Sequence, residues 1–313
     1  MGGFKFSHPK NQRYITDQPD FTGNRMCGDV NINPTFEAKF APMIKLIIRA
    51  LKRFAWFKRL NAKVTYEILA KRISAEDWHF MNYGYMPNPN EPPLSLPNDP
   101  KIQKYPLQMY HYLASKTEVK GKDVLEVGSG RGGGARYVAG SLLPASYTGM
   151  DIAQSAVDLA NKIHRLPNLR FIQGSAESIP LADNSVDVVL NVESCHAYGS
   201  VDNFLSEVRR VLRPGGYLLL VDFRDVKNMD LLRKQLKASG LEWIEEENIA
   251  PNVVQAMEAE DDVKKERIKT LFPAKWQKLF GEFAGVVGSR IYQNLINKSR
   301  LYYRFVLRKA PKV

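Results

Sequence analysis

Ten residues near the middle of the chain, Leu125-Glu126-Val127-Gly128-Ser129-Gly130-Arg131-Gly132-Gly133-Gly134, carry its strongest chemical signal. Glycines directly after a short apolar run let the backbone turn tightly and let a ligand come close to it. The helix that follows would offer unpaired N–H groups to the ligand's negative end. Asp151 closes the next apolar run, 19 residues beyond Gly132, where one carboxylate can accept both hydroxyls of a ribose. Any adenosine-containing cofactor fits so far. Gly128, Gly130 and Gly133 also satisfy G-x-G-x-x-G, so a nicotinamide-dependent oxidoreductase has to be weighed. Glu126, two residues before the first glycine, argues the other way, because a carboxylate there repels a pyrophosphate and attracts an α-amino group.

For these residues to meet, strands and helices must alternate. The helix YPLQMYHYLASK leads into the strand DVLEV (123–127), the turn, and a helix from about 132. SYTGMD follows as a strand ending at Asp151, then a helix over 153–165, then RFIQG and VDVVLN (186–191), both short and fully apolar in type. Val201, Phe204, Leu205, Val208 and Leu212 share one face of a further helix, which RPGG stops before the strand YLLLVDF. This order predicts βαβ units and a parallel sheet covered on both faces. Residues 252–298 read as helices and LYYRFVLRK as a strand, while the six prolines of MPNPNEPPLSLPNDP (86–100) exclude helix and central strand and make it a loop or lid hinge.

At 313 residues, with 44% hydrophobic and 25% charged, the chain has the composition of a globular protein with a sizeable core. Cys27 and Cys195 cannot make a disulfide scaffold or a zinc knuckle, and no His/Asp/Glu cluster has metal-ligand spacing. Lys and Arg break every apolar stretch well short of the ~20 residues of a membrane span, and MGGFKFSHPKNQRY lacks a secretory apolar block. A soluble cytoplasmic protein is expected. The net charge of +12 divides as +7 over 1–77, +1 over 78–120, −1 over 121–224 and +5 over 225–313, so the segment with the motifs is nearly neutral. That argues against nucleic acid as a partner. The densest basic block, APMIKLIIRALKRFAWFKRL (41–60), is amphipathic at helical spacing and suits peripheral contact with an anionic membrane or packing on the domain. The sequence carries no signal for an oligomeric state.

Glu126 and the glycines, Asp151, Gly174-Ser175-Ala176-Glu177, Asn191-Val192-Glu193 and Arg210-Val211-Leu212-Arg213-Pro214-Gly215-Gly216 follow one another at the spacing of a known set. Together they resemble the class I S-adenosylmethionine-dependent methyltransferases. LEVGSGRGGGARY, LLPASYTGMDI, HRLPNL, DVVLNVES with His196, and EVRRVLRPGGY are similar in particular to the phthiotriol/phenolphthiotriol dimycocerosate methyltransferases and related small-molecule O-methyltransferases. The likeness covers about 78–313 and fades after 225. It implies an α/β, Rossmann-like sheet of seven strands, the last antiparallel, with helices on both faces and lid helices near the C-terminus. Residues 1–77 then form an irregular arm with helices near 42–59 and 62–73, followed by a methyltransferase domain with its cofactor core at 105–224 and its lid at 248–290. Carried over, Glu126, Gly128, Gly130 and Gly132 would hold the methionine part of S-adenosylmethionine and Asp151, beside Ile152, the ribose. Ser175 and Ala176 would face the adenine, and Asn191 would lie under the cofactor.

Methyl transfer from an activated sulfonium requires alignment, exclusion of water and, for a hydroxyl acceptor, removal of a proton. His196, five residues past Asn191, would emerge beside the methyl group, and imidazole titrates near pH 6.5, which suits a base at neutral pH. Glu193 would orient His196 or share in proton removal. Tyr83 or Tyr85, with Trp78 and Met81 nearby, would face the sulfonium by cation–π attraction, Tyr85 being placed in the cofactor set. Val253, Val254, Met257, Phe280 and Phe283 would make an apolar substrate pocket or simply pack. The expected reaction is O-methylation of a hydroxyl on an apolar small molecule or lipid-like natural product; C-methylation of a quinone or sterol-like ring is the alternative within the class.

Overall fold

The computed structural model describes residues 80–91, 94 and 103–312. The arm, the basic stretch 41–60, Trp78 and most of the Pro-rich segment lie outside the described residues. Strands and helices alternate as β1 (Asp123–Val127), α2 (Gly133–Ser141), β2 (Ser146–Asp151), α3 (Gln154–Ile163), β3 (Leu169–Gln173), β4 (Val186–Val192), α4 (Val201–Val211) and β5 (Leu212–Asp225), with α1 (Lys104–Ala114) ahead of them. Then come α5 (Val226–Ala238), β6 (Glu242–Asn248), α6 (Ala250–Ala259), α7 (Asp261–Leu271), α8 (Ala274–Ala284), α9 (Arg290–Ile296) and β7 (Arg300–Arg308). RPGG does end α4, but it is already the start of β5 rather than a separate turn.

The seven strands lie in the order β3-β2-β1-β4-β5-β7-β6. β1 to β5 run parallel, and β7 is antiparallel to both β5 and β6. Because side chains alternate between faces, Val124, Val188, Leu190, Leu219 and Val221 join one core with Met109 and Leu113 of α1. Leu125, Val127, Val189, Leu218 and Leu220 join the other with Phe204, Leu205 and Val208 of α4. The same alternation sends Glu126 into the α1 face. The chain leaves β1 toward β2 on one side and returns to β4 on the other, so a crevice opens at the carboxyl ends of these strands. Among the described residues no helix is long and apolar enough to cross a membrane.

Candidate active site

A cavity of about 260 Å³ occupies that crevice. Its floor is the turn after β1, tied to β2 by Gly128 N and Ser129 N, which donate to Met150 O at 2.8 and 3.0 Å. Gly130 sits in the left-handed region (φ 53°), and a Cβ there would meet nothing closer than Met81 Sδ at 3.8 Å, so its missing side chain leaves room for a ligand. Gly132 is also left-handed (φ 79°), but a Cβ would strike the Phe171 ring at 2.5 Å. Gly132 therefore serves packing and the start of α2 rather than lining the cavity, whereas Gly128, Gly130, Gly133 and Gly134 line it.

Asp151 stands at the rim with both oxygens held: Oδ2 accepts from Gly130 N at 2.8 Å and Oδ1 from Ala153 N at 2.9 Å. Burial raises its pKa against these backbone donors. Each oxygen retains a lone pair, so the carboxylate can accept two further hydroxyls. Ile152, Ser175 and Ala176 line the same end. Asn191 is fully buried below the floor and does not reach the cavity; its amide nitrogen donates to Val127 O at 2.9 Å and lies 2.8 Å from Ser194 Oγ and Tyr198 Oη.

Glu126 is not at the cavity surface. Tyr110 Oη and Tyr147 Oη donate to its two oxygens at 2.6 and 2.8 Å, and of these three only Tyr110 lines the cavity. Tyr110 therefore stands between Glu126 and the cavity, where the resemblance implied direct contact. Burial pushes the Glu126 carboxyl up to about 7 despite the two tyrosine donors. The native state then holds a proton that the unfolded chain releases near pH 4, so this group costs stability as pH rises from about 4 to 7. A cationic ligand in the cavity favours the ionised form, so affinity for such a ligand should rise severalfold between pH 6 and 8. Titration calorimetry should show this rise in the native protein and a smaller one in Glu126→Gln, where Glu193 still titrates in the same range.

At the opposite end, His196 Nδ1 lies 2.7 Å from Asp222 Oδ1. With Nδ1–H donated to the carboxylate, Nε2 is the free proton acceptor. Asp222 is fully buried; Arg224 Nε donates to it at 2.9 Å and Cys195 Sγ at 3.3 Å. Burial alone would raise its pKa, but His196 and Arg224 hold it below the usual carboxylate range. Asp222 thus takes the orienting place expected of Glu193. Glu193, left-handed at φ 48° just past β4, instead accepts from Tyr83 N at 2.8 Å and from Tyr302 Oη. Burial pushes the Glu193 carboxyl up to about 7. Tyr83, Glu193, His196, Tyr198, Phe223 and Phe283 all line the cavity here.

Tyr85 does not join them. Its hydroxyl donates to Glu91 at 2.7 Å and its ring stacks on Tyr112 at 3.9 Å, so the aromatics of this segment that face the cavity are Phe80 and Tyr83. Tyr85→Phe should leave cofactor affinity within about twofold while lowering stability by roughly 1–2 kcal/mol through the lost bond to a carboxylate; calorimetry and denaturant unfolding measure the two. Of the expected apolar lining, only Phe283 reaches the cavity. Val253 and Met257 belong to the core beside α1, Val254 packs against it, and Phe280 stacks on Phe272 at 3.5 Å. Sequence reasoning did not single out Asp222, Phe223 or Tyr302. An acid inside the apolar run YLLLVDF was the available signal, since a buried carboxylate requires partners.

A Gly-rich turn after the first strand, an acid ending the second and a floor at the switch point define the Rossmann-like fold of nucleoside-cofactor methyltransferases. Residues 125–220 match the methyltransferase domain family. The chain is 36% identical over 274 residues to the fatty-acid O-methyltransferase of Mycolicibacterium smegmatis, covering 83% of this chain and 96% of that protein. It is 35% identical over 232 residues to the phthiotriol/phenolphthiotriol dimycocerosates methyltransferase of Mycobacterium tuberculosis, covering 74% and 85%. Among solved structures, the [4+2]-cyclase SpnF shares the fold at TM-score 0.63 and 18% identity, covering 82% of this chain and 97% of that one.

The chain belongs to this family of S-adenosylmethionine-dependent methyltransferases. The cradle suits that cofactor: open space stands where Gly130 lacks a Cβ, and Ser129, which lines the cavity, has a buried hydroxyl without a hydrogen-bond partner among the described residues.

Proposed function

We propose that the protein methylates a hydroxyl group of an apolar, lipid-like acceptor, with His196 as the base. The observation that carries this reading is the His196–Asp222 pair, which leaves Nε2 as an acceptor at the cavity wall. S-adenosylmethionine supplies a methyl group already activated for displacement. His196 Nε2 would take the proton that the hydroxyl loses as its oxygen accepts the methyl group, and Asp222 would hold the tautomer and stabilise the imidazolium. Asp151, Ile152, Ser175 and Ala176 would hold the ribose and adenine, and Gly128 and Gly130 would accommodate the methionine part. Tyr83, Phe223 and Phe283 keep water away from the reacting oxygen.

The names of the relatives offer two oxygen nucleophiles, a fatty acid and a hydroxylated lipid. A carboxylic acid is ionised at neutral pH and needs no base, whereas a hydroxyl must lose a proton that His196 is placed to take. The His196–Asp222 pair therefore favours the hydroxyl. The purified protein, given methyl-labelled cofactor with a long-chain alcohol, an alkylphenol and a fatty acid of matched length, should yield methyl ethers from the first two, identified by mass spectrometry. Product from the fatty acid alone would overturn the hydroxyl reading, and label on carbon would favour C-methylation. The basic stretch 41–60 would add peripheral contact with an anionic membrane.

A further inference from the structure

The hairpin of α7 and α8 has a small core of its own, in which Ile268, Phe272 and Ala284 are buried against Leu271, Phe280 and Val286. This core uses one side of α8 and leaves another apolar side uncovered. Trp276 is 41% and Leu279 57% exposed. Phe283, four residues beyond Leu279 and seven beyond Trp276, falls on the same helical face. Phe283 also lines the cavity that holds His196. One apolar stripe therefore starts in solvent and ends inside the site.

The flank of the stripe is basic. Lys275 and Lys278 are exposed on α8, and neither has a carboxylate partner among the described residues. Over both helices, 261–284, the chain carries six basic residues and four acidic, and three of the four acids lie in α7. A tryptophan and a leucine standing out between lysines match the interface of an anionic bilayer, where indole sits at headgroup level and ammonium groups meet lipid phosphates. A soluble protein partner would leave the link between this stripe and the cavity without a use.

We propose that α8 is a membrane-docking helix: Trp276 and Leu279 enter the interface of an anionic bilayer, Lys275 and Lys278 rest on its headgroups, and Phe283 passes an apolar acceptor from the bilayer to the cavity. The inference rests on the lipid-like acceptor proposed above, yet its test needs no turnover, so it and the choice of hydroxyl succeed or fail separately.

The full chain should sediment with vesicles of phosphatidylcholine and phosphatidylglycerol at low salt. The double variant Trp276→Asp/Leu279→Asp should partition at least tenfold less, and Lys275→Glu/Lys278→Glu should lose the preference for anionic vesicles. Unchanged binding of S-adenosylhomocysteine in both variants reports an intact fold. Reversing charge in the arm (Lys45→Glu/Arg49→Glu) should leave the dependence on Trp276 and Leu279 in place. A polarity-sensitive dye at Leu279→Cys, in a Cys27→Ser chain whose remaining Cys195 is buried, should shift to the blue on vesicles. Wild-type binding by the α8 variants, or a dye that does not shift, overturns the proposal. A change of sedimentation coefficient in the α8 variants without loss of vesicle binding would instead assign the stripe to a second copy of the chain.

Discussion

His196→Ala should lower turnover on a hydroxyl acceptor by about 10²-fold or more, the usual contribution of a positioned base, while affinity for S-adenosylmethionine stays within about twofold. The asymmetry follows from position. His196 lines the part of the cavity proposed for the acceptor, whereas the turn after β1, Asp151 and Ser175 line the part proposed for the nucleoside. Exogenous imidazole should restore part of the lost rate, because the alanine leaves a ring-sized space above Phe223, whose centroid lies 4.6 Å from that of His196. Asp222→Asn should cost less, roughly tenfold to a hundredfold, since the amide keeps the shape but can hold the opposite imidazole tautomer. Unchanged turnover in single-turnover kinetics of His196→Ala would remove the residue from the mechanism.

Asp151→Asn should weaken cofactor binding by about 10–100-fold, the loss of one or two hydrogen bonds to a charged acceptor, without altering the chemical step once the site is saturated. Both carboxylate oxygens accept backbone N–H groups, from Gly130 and Ala153. An amide must turn its NH₂ toward one of those donors, which loosens either the glycine turn or the entry to α3. Asp151→Ala, which loses both bonds and the proposed ribose contact, should be weaker still. Calorimetry with S-adenosylhomocysteine measures the series. Equal affinity in all three proteins would place the ribose elsewhere.

The parallel sheet was legible because its strands are short apolar runs separated by amphipathic helices, and the glycine turn because few other sequences let a ligand reach the backbone. That Gly130, Asp151 and Ser175 line the cavity was readable for the same reason: they lie directly after strands, so local order places them. The wall around His196 depends on neighbours far apart in sequence. Val192 pairs with Val221, so the residues one step on, Glu193 and Asp222, flank the same crevice, and only strand order reveals it. Glu126 shows the opposite limit. Its spacing from the glycines suggested contact with a ligand, but the alternation of β1 turns it toward Tyr110 and Tyr147. Tyr83 and Tyr85 differ in the same way; two residues apart in an irregular segment, they carry no periodicity that says which one faces inward.

The position of β7 bears on how the chain matures. Residues 300–308 leave the ribosome after β6, yet they must enter between β5 and β6. Until then β5 ends the sheet with an open edge, a hazard for a nascent chain because unpaired strands recruit one another. Glu193 also lacks the Tyr302 hydroxyl at that stage, and Glu245 and Glu247 lack Arg304, the fully buried guanidinium that joins them to Tyr112. Translation stalled before residue 300 should therefore yield a sticky, catalytically silent intermediate, and completing one inner strand would switch on solubility and chemistry together.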